Sequence, residues 1–256
     1  MKNSINQLTL LIIAFSLLVS CNNKKETVKE DISLFKATNT KALITVDGIM
    51  NEKDWKKAPV YTFDYFYENE KKTDVQKTSY RMLWDDKNMY LFFQCEDQFI
   101  NARETVRDGA PFLDDCAEIF LAPVPETIST HFCFEVNVLK TPNDIVYLDN
   151  FYNNTKGVVK AFSPDYEIGV QINGTLNDNT DIDKGWTMEY AIPLNTFRGV
   201  DTFHPIAEGT KWRFLALRQD RNEVDGERRI TSTIVPVFDQ KRVHEAGLFG
   251  MLEFSK

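Results

Sequence analysis

The sequence predicts an all-β fold, a two-sheet antiparallel β-sandwich of jelly-roll type with short helical insertions. Three observations carry that prediction. Apolar and aromatic residues alternate at period two through YRMLW and MYLFFQCE, with the turn residues DDKN between Trp84 and Met89 joining the two as a hairpin. Similar short segments recur along the chain, separated by Gly, Pro, Asn and Asp clusters, with no internal repeat or interdomain linker. The run Ala117 to Leu121 is apolar except for Glu118, which falls on the face opposite Ala117, Ile119 and Leu121 and so marks that second face as a polar ligand surface.

The N-terminus reads as a lipoprotein signal over residues 1–20. Lys2 supplies the positive start, Leu8 to Val19 are apolar but too short for a comfortable membrane span, and LVSC closes the segment at Cys21. This pattern resembles a bacterial lipobox, which implies cleavage before Cys21, diacylglycerol on its sulfur and a chain anchored to the cell envelope, in the outer membrane of a diderm bacterium. Residues 21–36 are charged and aperiodic, a flexible tether carrying the lipidated cysteine. The folded domain is expected over 37–256.

Within that domain ALITV predicts a first strand and Asp47–Gly48 a turn, followed by a brief helix that carries Trp55 and stops at Pro59. Trp55 is the expected core plug. Further strands are predicted at 60–66, 78–84, 89–96, 117–121, 132–138, 145–148, 158–162, 166–172, 186–192, 212–218, 230–234 and 250–254. The NGTLNDNTDIDKG stretch is a long hairpin loop. Its Asp178, Asp181 and Asp183 either attract calcium or form a solvated acidic turn, and their spacing is not that of an EF-hand.

A formal charge of −8 excludes nucleic acid and bare anionic membrane surfaces as partners, since either calls for a basic patch. Cys95, Cys116 and Cys133 each sit in an apolar strand-like run and read as packed thiols. His131, His204 and His244 are scattered, without a zinc motif.

Seven short pieces occur in one order: ITVDGIMNEKDWKKAP, RMLWDDKNMYLFFQCED, DDCAEIFLAP, FEVN, GWTMEYAIPL, WRFLALRQD and LFGMLEF. Together they resemble the family 9 carbohydrate-binding modules and their relatives in the DOMON-like group. The resemblance implies a sandwich with a concave sugar site, structural calcium in some members, no required cofactor and no catalytic machinery. In sugar-binding members two tryptophans enclose a terminal sugar whose hydroxyls meet charged and amide groups. Pyranose faces are apolar C–H surfaces that pack on aromatic rings, whereas the hydroxyl rim needs directional partners. The first tryptophan position falls on Phe112, the ligand-contacting glutamate on Glu118, a basic contact on Glu135, and the second tryptophan near Val243, beside His244. Phe112 reads either as a stacking wall or as a lid on the core.

Glu118 and Glu135 lie in neighbouring predicted strands, where they serve a ligand or a structural Arg–Glu network. Among Arg81, Arg213 and Arg218, the last is the expected counterion, because it stands where its strand leaves the core. The leading function is non-catalytic binding of oligo- or polysaccharide by an envelope lipoprotein, which retains glycan for neighbouring degrading enzymes or transporters. A haem-binding redox protein using Met82, Met89, Met188 or the histidines is the alternative, and a glycoside hydrolase built on Glu118 and Glu135 is the third reading.

Overall fold

In-out alternation of side chains organises the chain into short strands, and a computed structural model describes residues 32–70, 75–123, 130–148, 157–197, 206–222 and 228–256. The signal segment, Cys21, most of the tether and His204 lie outside the described residues. The strands are β1 (Leu34–Asn39), β2 (Tyr61–Thr62), β3 (Tyr65–Phe66), β4 (Thr78–Trp84), β5 (Asn88–Cys95), β6 (Cys116–Ala122) and β7 (His131–Asn137). They continue as β8 (Pro142–Tyr147), β9 (Val158–Val159), β10 (Glu167–Asn173), β11 (Gly185–Pro193), β12 (Lys211–Asn222), β13 (Arg228–Thr233) and β14 (Gly250–Ser255). Among the described residues the helical insertions are single 3-10 turns at Pro111–Leu113, Leu194–Phe197 and Ala246–Leu248. None is long and apolar enough to cross a membrane.

The fold is all-β, but the expectation of two separate antiparallel sheets is corrected. The strands form one continuous mixed sheet in the order β10-β11-β5-β4-β1-β14-β12-β6-β7-β8-β9, with β13 on β12 and β3, and β2 on β4. β1 runs parallel to both β14 and β4 and joins the two halves. No hairpin ties β1 to either neighbour, so nothing enforces antiparallel pairing, and the intervening chain supplies the long crossovers that parallel neighbours need. The sheet curls until its halves touch: the Tyr190 hydroxyl on β11 donates to the Ala117 carbonyl on β6 at 2.8 Å, and the Tyr80 and Phe214 rings pack at 5.8 Å.

β1 begins at Leu34, within the stretch read as tether, and replaces the strand expected at ALITV. Phe35 and Ala37 alternate inward, with the Phe35 ring edge-on to Tyr61 at 5.1 Å, whereas Leu43 is 89% exposed. The Trp55 segment is also corrected, from helix to successive turns closed by Lys57 N–H to Asp54 O and Ala58 N–H to Asp54 O. Trp55 is fully buried edge-on to Phe92, plugging a small cluster with Ile44, Leu83, Tyr90 and Ala191 on the outer side of the sheet. The β4–β5 hairpin forms as predicted, and Asp85 caps its turn by accepting from the Lys87 and Asn88 N–H groups at 2.7 Å. Gly48 turns the chain at φ 80°, where a Cβ would come within 3.0 Å of the β10 backbone, so only glycine fits without strain. Cys95, Cys116 and Cys133 are buried free thiols, and burial pushes Cys95 up to about 12.

Candidate functional site

β6 and β7 are buried on both faces, so the residues on their second face are covered and not solvated. Glu118 and Glu135 are directly paired across these strands, and Glu135 is paired with Asn143 on β8. Directly opposed residues of an antiparallel pair project to the same side. β12 adds Gln219 and Arg221 to this face, one pleat beyond the Leu217 that opposes Glu118.

These groups floor a cavity of about 400 Å³. Phe112, half-buried in its 3-10 turn, lines it together with Tyr67, Phe120 and Tyr147, while Val243 and His244 close it from the C-terminal segment. The Tyr147 and His244 rings stack at 3.8 Å, and His131 Nε2 lies 3.1 Å from His244 Nδ1. The fold thus joins two histidines that the sequence reading treated as scattered. Burial, reinforced by His131, pushes His244 down to about 3, which keeps its imidazole neutral as part of the aromatic wall. A larger concavity of about 990 Å³ lies against β4, β5 and β11, but its charged side chains, Asp64, Lys77, Glu96 and Lys184, are all exposed. Convergent buried polar groups mark the smaller cavity as the better candidate.

Each carboxylate on the floor is held by an amide. Gln219 Nε2 donates to Glu118 Oε1, and Asn143 Nδ2 donates to Glu135 Oε2 at 2.6 Å, with the Cys133 thiol 3.2 Å from the other Glu135 oxygen. Burial and then the neighbouring Glu135 push Glu118 up to about 8, against the pull of Gln219 and Arg221. Burial also raises Glu135, and Asn143 moderates it. Near neutral pH Glu118 therefore holds its proton half of the time or more, and the pair can both donate to and accept from hydroxyls.

A family model described as carbohydrate family 9 binding domain-like matches residues 46–255. The chain belongs to this family. A family 9 module from Caldicellulosiruptor kristjanssonii, solved with cellotriose, superposes with a TM-score of 0.58 at 16% identity, covering 87% of this chain and 94% of that one. The same organism's module with glucose gives 0.58 and 16%, covering 87% and 95%. A Bacteroides uniformis protein described as carbohydrate-binding gives 0.61 at 14%, covering 87% and 99%. At these identities the likeness shows the fold. No curated protein matches the chain.

In this family 9 domain Arg218 does not reach Glu118 or Glu135, and that expectation is corrected. Arg218 is paired with Ala117, and so shares the core side of the sheet with Ala117 and Ile119, opposite the cavity. Its guanidinium contacts Asp97 at 2.9 Å, Asp220 at 3.8 Å and Thr78 Oγ1 at 2.9 Å, and lies 5.7 Å from the centre of the Trp186 ring. Arg81 and Arg213 donate instead to the carbonyls of Ala58 and Phe249. The cation that β12 brings to the cavity side is Arg221, three residues beyond the predicted end of the strand at Arg218. Continuing the period-two alternation from Leu217 through Gln219 to Arg221 identifies it.

Asp97, Asp115 and Asp220 bring oxygens within 4.8 Å of one another and would be the calcium candidate. They do not fit the ion, which takes six to eight oxygens. The Arg218 guanidinium is directed at this cluster, and both Asp115 oxygens accept backbone N–H groups, from Asn101 at 2.6 Å and Arg221 at 2.8 Å. In the long loop, Asp183 accepts from the Ile100 and Thr175 N–H groups, Asp178 from Thr180, and Asp181 from the Thr175 hydroxyl, so these carboxylates brace the turn. Met82, Met89 and Met188 are fully buried in the core.

Proposed function

We propose that this protein is a non-catalytic glycan-binding lipoprotein of the cell envelope that holds oligo- or polysaccharide for neighbouring degrading enzymes or transporters. The observation that carries the reading is the in-register Glu118–Glu135 pair, buried, held by amides and set at the floor of an aromatic-lined cavity. Carboxyls that donate and accept suit sugar hydroxyls, and the rings of Phe112 and Tyr147 suit pyranose faces. Family 9 relatives solved with cellotriose and glucose support a sugar as the ligand. Val243 and His244 stand near the second tryptophan position of the family, so the stacked His244–Tyr147 pair takes the place of an indole in this reading.

A glycan array probed with soluble residues 32–256, followed by calorimetry on the hits, tests the proposal. Binding that falls several-fold in Phe112→Ala, with folding retained, supports it. An absence of glycan binding overturns it, and steady release of new reducing ends would replace binding with hydrolysis.

The anchor rests on LVSC and is tested separately. Cys21→Ser is expected to abolish metabolic lipid labelling and detergent-phase partitioning while the soluble domain keeps its circular dichroism spectrum. Unchanged lipid incorporation in this variant would remove the anchor from the reading.

A further inference from the structure

The cavity also carries a charge pattern whose meaning depends on the glycan-binding reading. Three basic side chains from separate positions in the fold line it: Lys160 just after β9, Arg221 on β12 and Arg229 on β13. Among the described residues none of the three makes a salt bridge. Lys160 and Arg229 are exposed, whereas Arg221 is only 8% exposed. Arg221 bonds Gln219 Oε1 through one Nη, and the other lies at 3.4 Å from the Asp220 carbonyl, leaving Nε buried without a hydrogen-bond partner.

A buried guanidinium without an anionic partner within ion-pair distance is costly. Its planar fork matches an oxyanion with two adjacent oxygens. The carboxylates of the cavity do not supply that partner. Glu118 and Glu135 are held by Gln219 and Asn143, and Glu70 accepts from the N–H and hydroxyl of Thr231. Glu118 and Glu135 are buried at the floor, where burial raises both carboxyls, whereas Lys160 and Arg229 are the exposed charged residues of the lining, so the charge presented to solvent there is positive. The chain's overall charge of −8 does not cancel this local excess, because charges further away than about 8 Å are screened at physiological salt.

We propose that this cavity binds an acidic sugar, its carboxylate or sulfate held by Arg221, Lys160 and Arg229 while Glu118 and Glu135 take its hydroxyls. The shared chemistry is a compact oxyanion on a pyranose ring. A uronate and a sulfate ester are its two sources.

The test uses an array of matched glycans with and without acid groups, then calorimetry with trigalacturonate against its methyl ester and with sulfated against unsulfated galactotriose. At least one acid is expected to bind about tenfold or more tightly than its neutral counterpart, with a preference that shrinks as salt rises. The tighter of the two acids names the source of the oxyanion. Replacing the exposed pair, Lys160→Gln with Arg229→Gln, should bring the acid's affinity down toward that of the neutral sugar without the folding risk of altering buried Arg221. Equal affinity for acid and neutral partners, or an array that retains only neutral glycans, overturns this inference and leaves glycan binding standing. No retention of any glycan overturns both.

Discussion

Replacing Arg218 with methionine is expected to cost about 3–5 kcal/mol of folding stability, the range for removing one member of a buried ion pair. Asp97, Asp115 and Asp220 bring oxygens within 4.8 Å of one another, the guanidinium contacts Asp97 at 2.9 Å and Asp220 at 3.8 Å, and the Arg218 and Asp97 side chains are each 1% exposed. Methionine fills much of the volume but leaves these carboxyls without their cation. Burial already raises Asp97 and Asp115, and Arg218 opposes that rise. Without the guanidinium their folded-state values climb further, so the variant should recover stability as pH falls and these groups take up protons. Urea unfolding followed by circular dichroism at pH 5 and pH 8 reads this difference. Adding Asp97→Asn should restore part of the loss. Wild-type stability in Arg218→Met would show that the cluster needs no cation of its own.

Glu118→Gln is expected to change pH dependence and ligand affinity together. Because the folded state raises this carboxyl to about 8, its contribution to stability is complete below the ordinary range near 4.5 and is lost as pH rises through about 8. The wild type should therefore weaken between pH 5 and pH 9, whereas glutamine, of the same shape and without a titrating proton, escapes this term and still accepts from Gln219. At about 1.4 kcal/mol per pH unit of displacement, the variant's advantage at pH 9 amounts to a few kcal/mol. Glycan affinity should move the other way, by a few-fold to about tenfold, since the amide cannot reproduce the hydroxyl donor of the neutral carboxyl and one hydrogen bond between neutral groups contributes about 0.5–1.5 kcal/mol. Thermal melts across pH and calorimetry on the same samples check both halves. A stability difference that stays constant from pH 5 to pH 9 would contradict the buried titration of Glu118.

How much of the site was legible depended on whether local periodicity extended far enough. Glu118 stood out because a charge inside an apolar strand needs a reason, and Glu135 followed once both strands were placed side by side. Their direct pairing, their amide partners and the meeting of His131 with His244 depend on register and curl, which no short window of sequence contains. Arg218 and Arg221 show the limit most clearly. Both belong to one strand, three residues apart, and therefore project to opposite faces; ending that strand four residues early selected the wrong arginine.

The sequence by itself determined the all-β class, the β4–β5 hairpin, the burial of three cysteines and the carboxylates of the candidate site. Each follows from alternation and turn chemistry acting over a few residues. Only the tertiary structure decided that β1 joins the two halves in parallel, that Arg218 neutralises a core aspartate cluster and that Arg221 faces the cavity. Those outcomes rest on contacts between distant segments. There burial makes an unpaired charge costly, and which partners are within reach is decided by the side of the curled sheet each residue occupies.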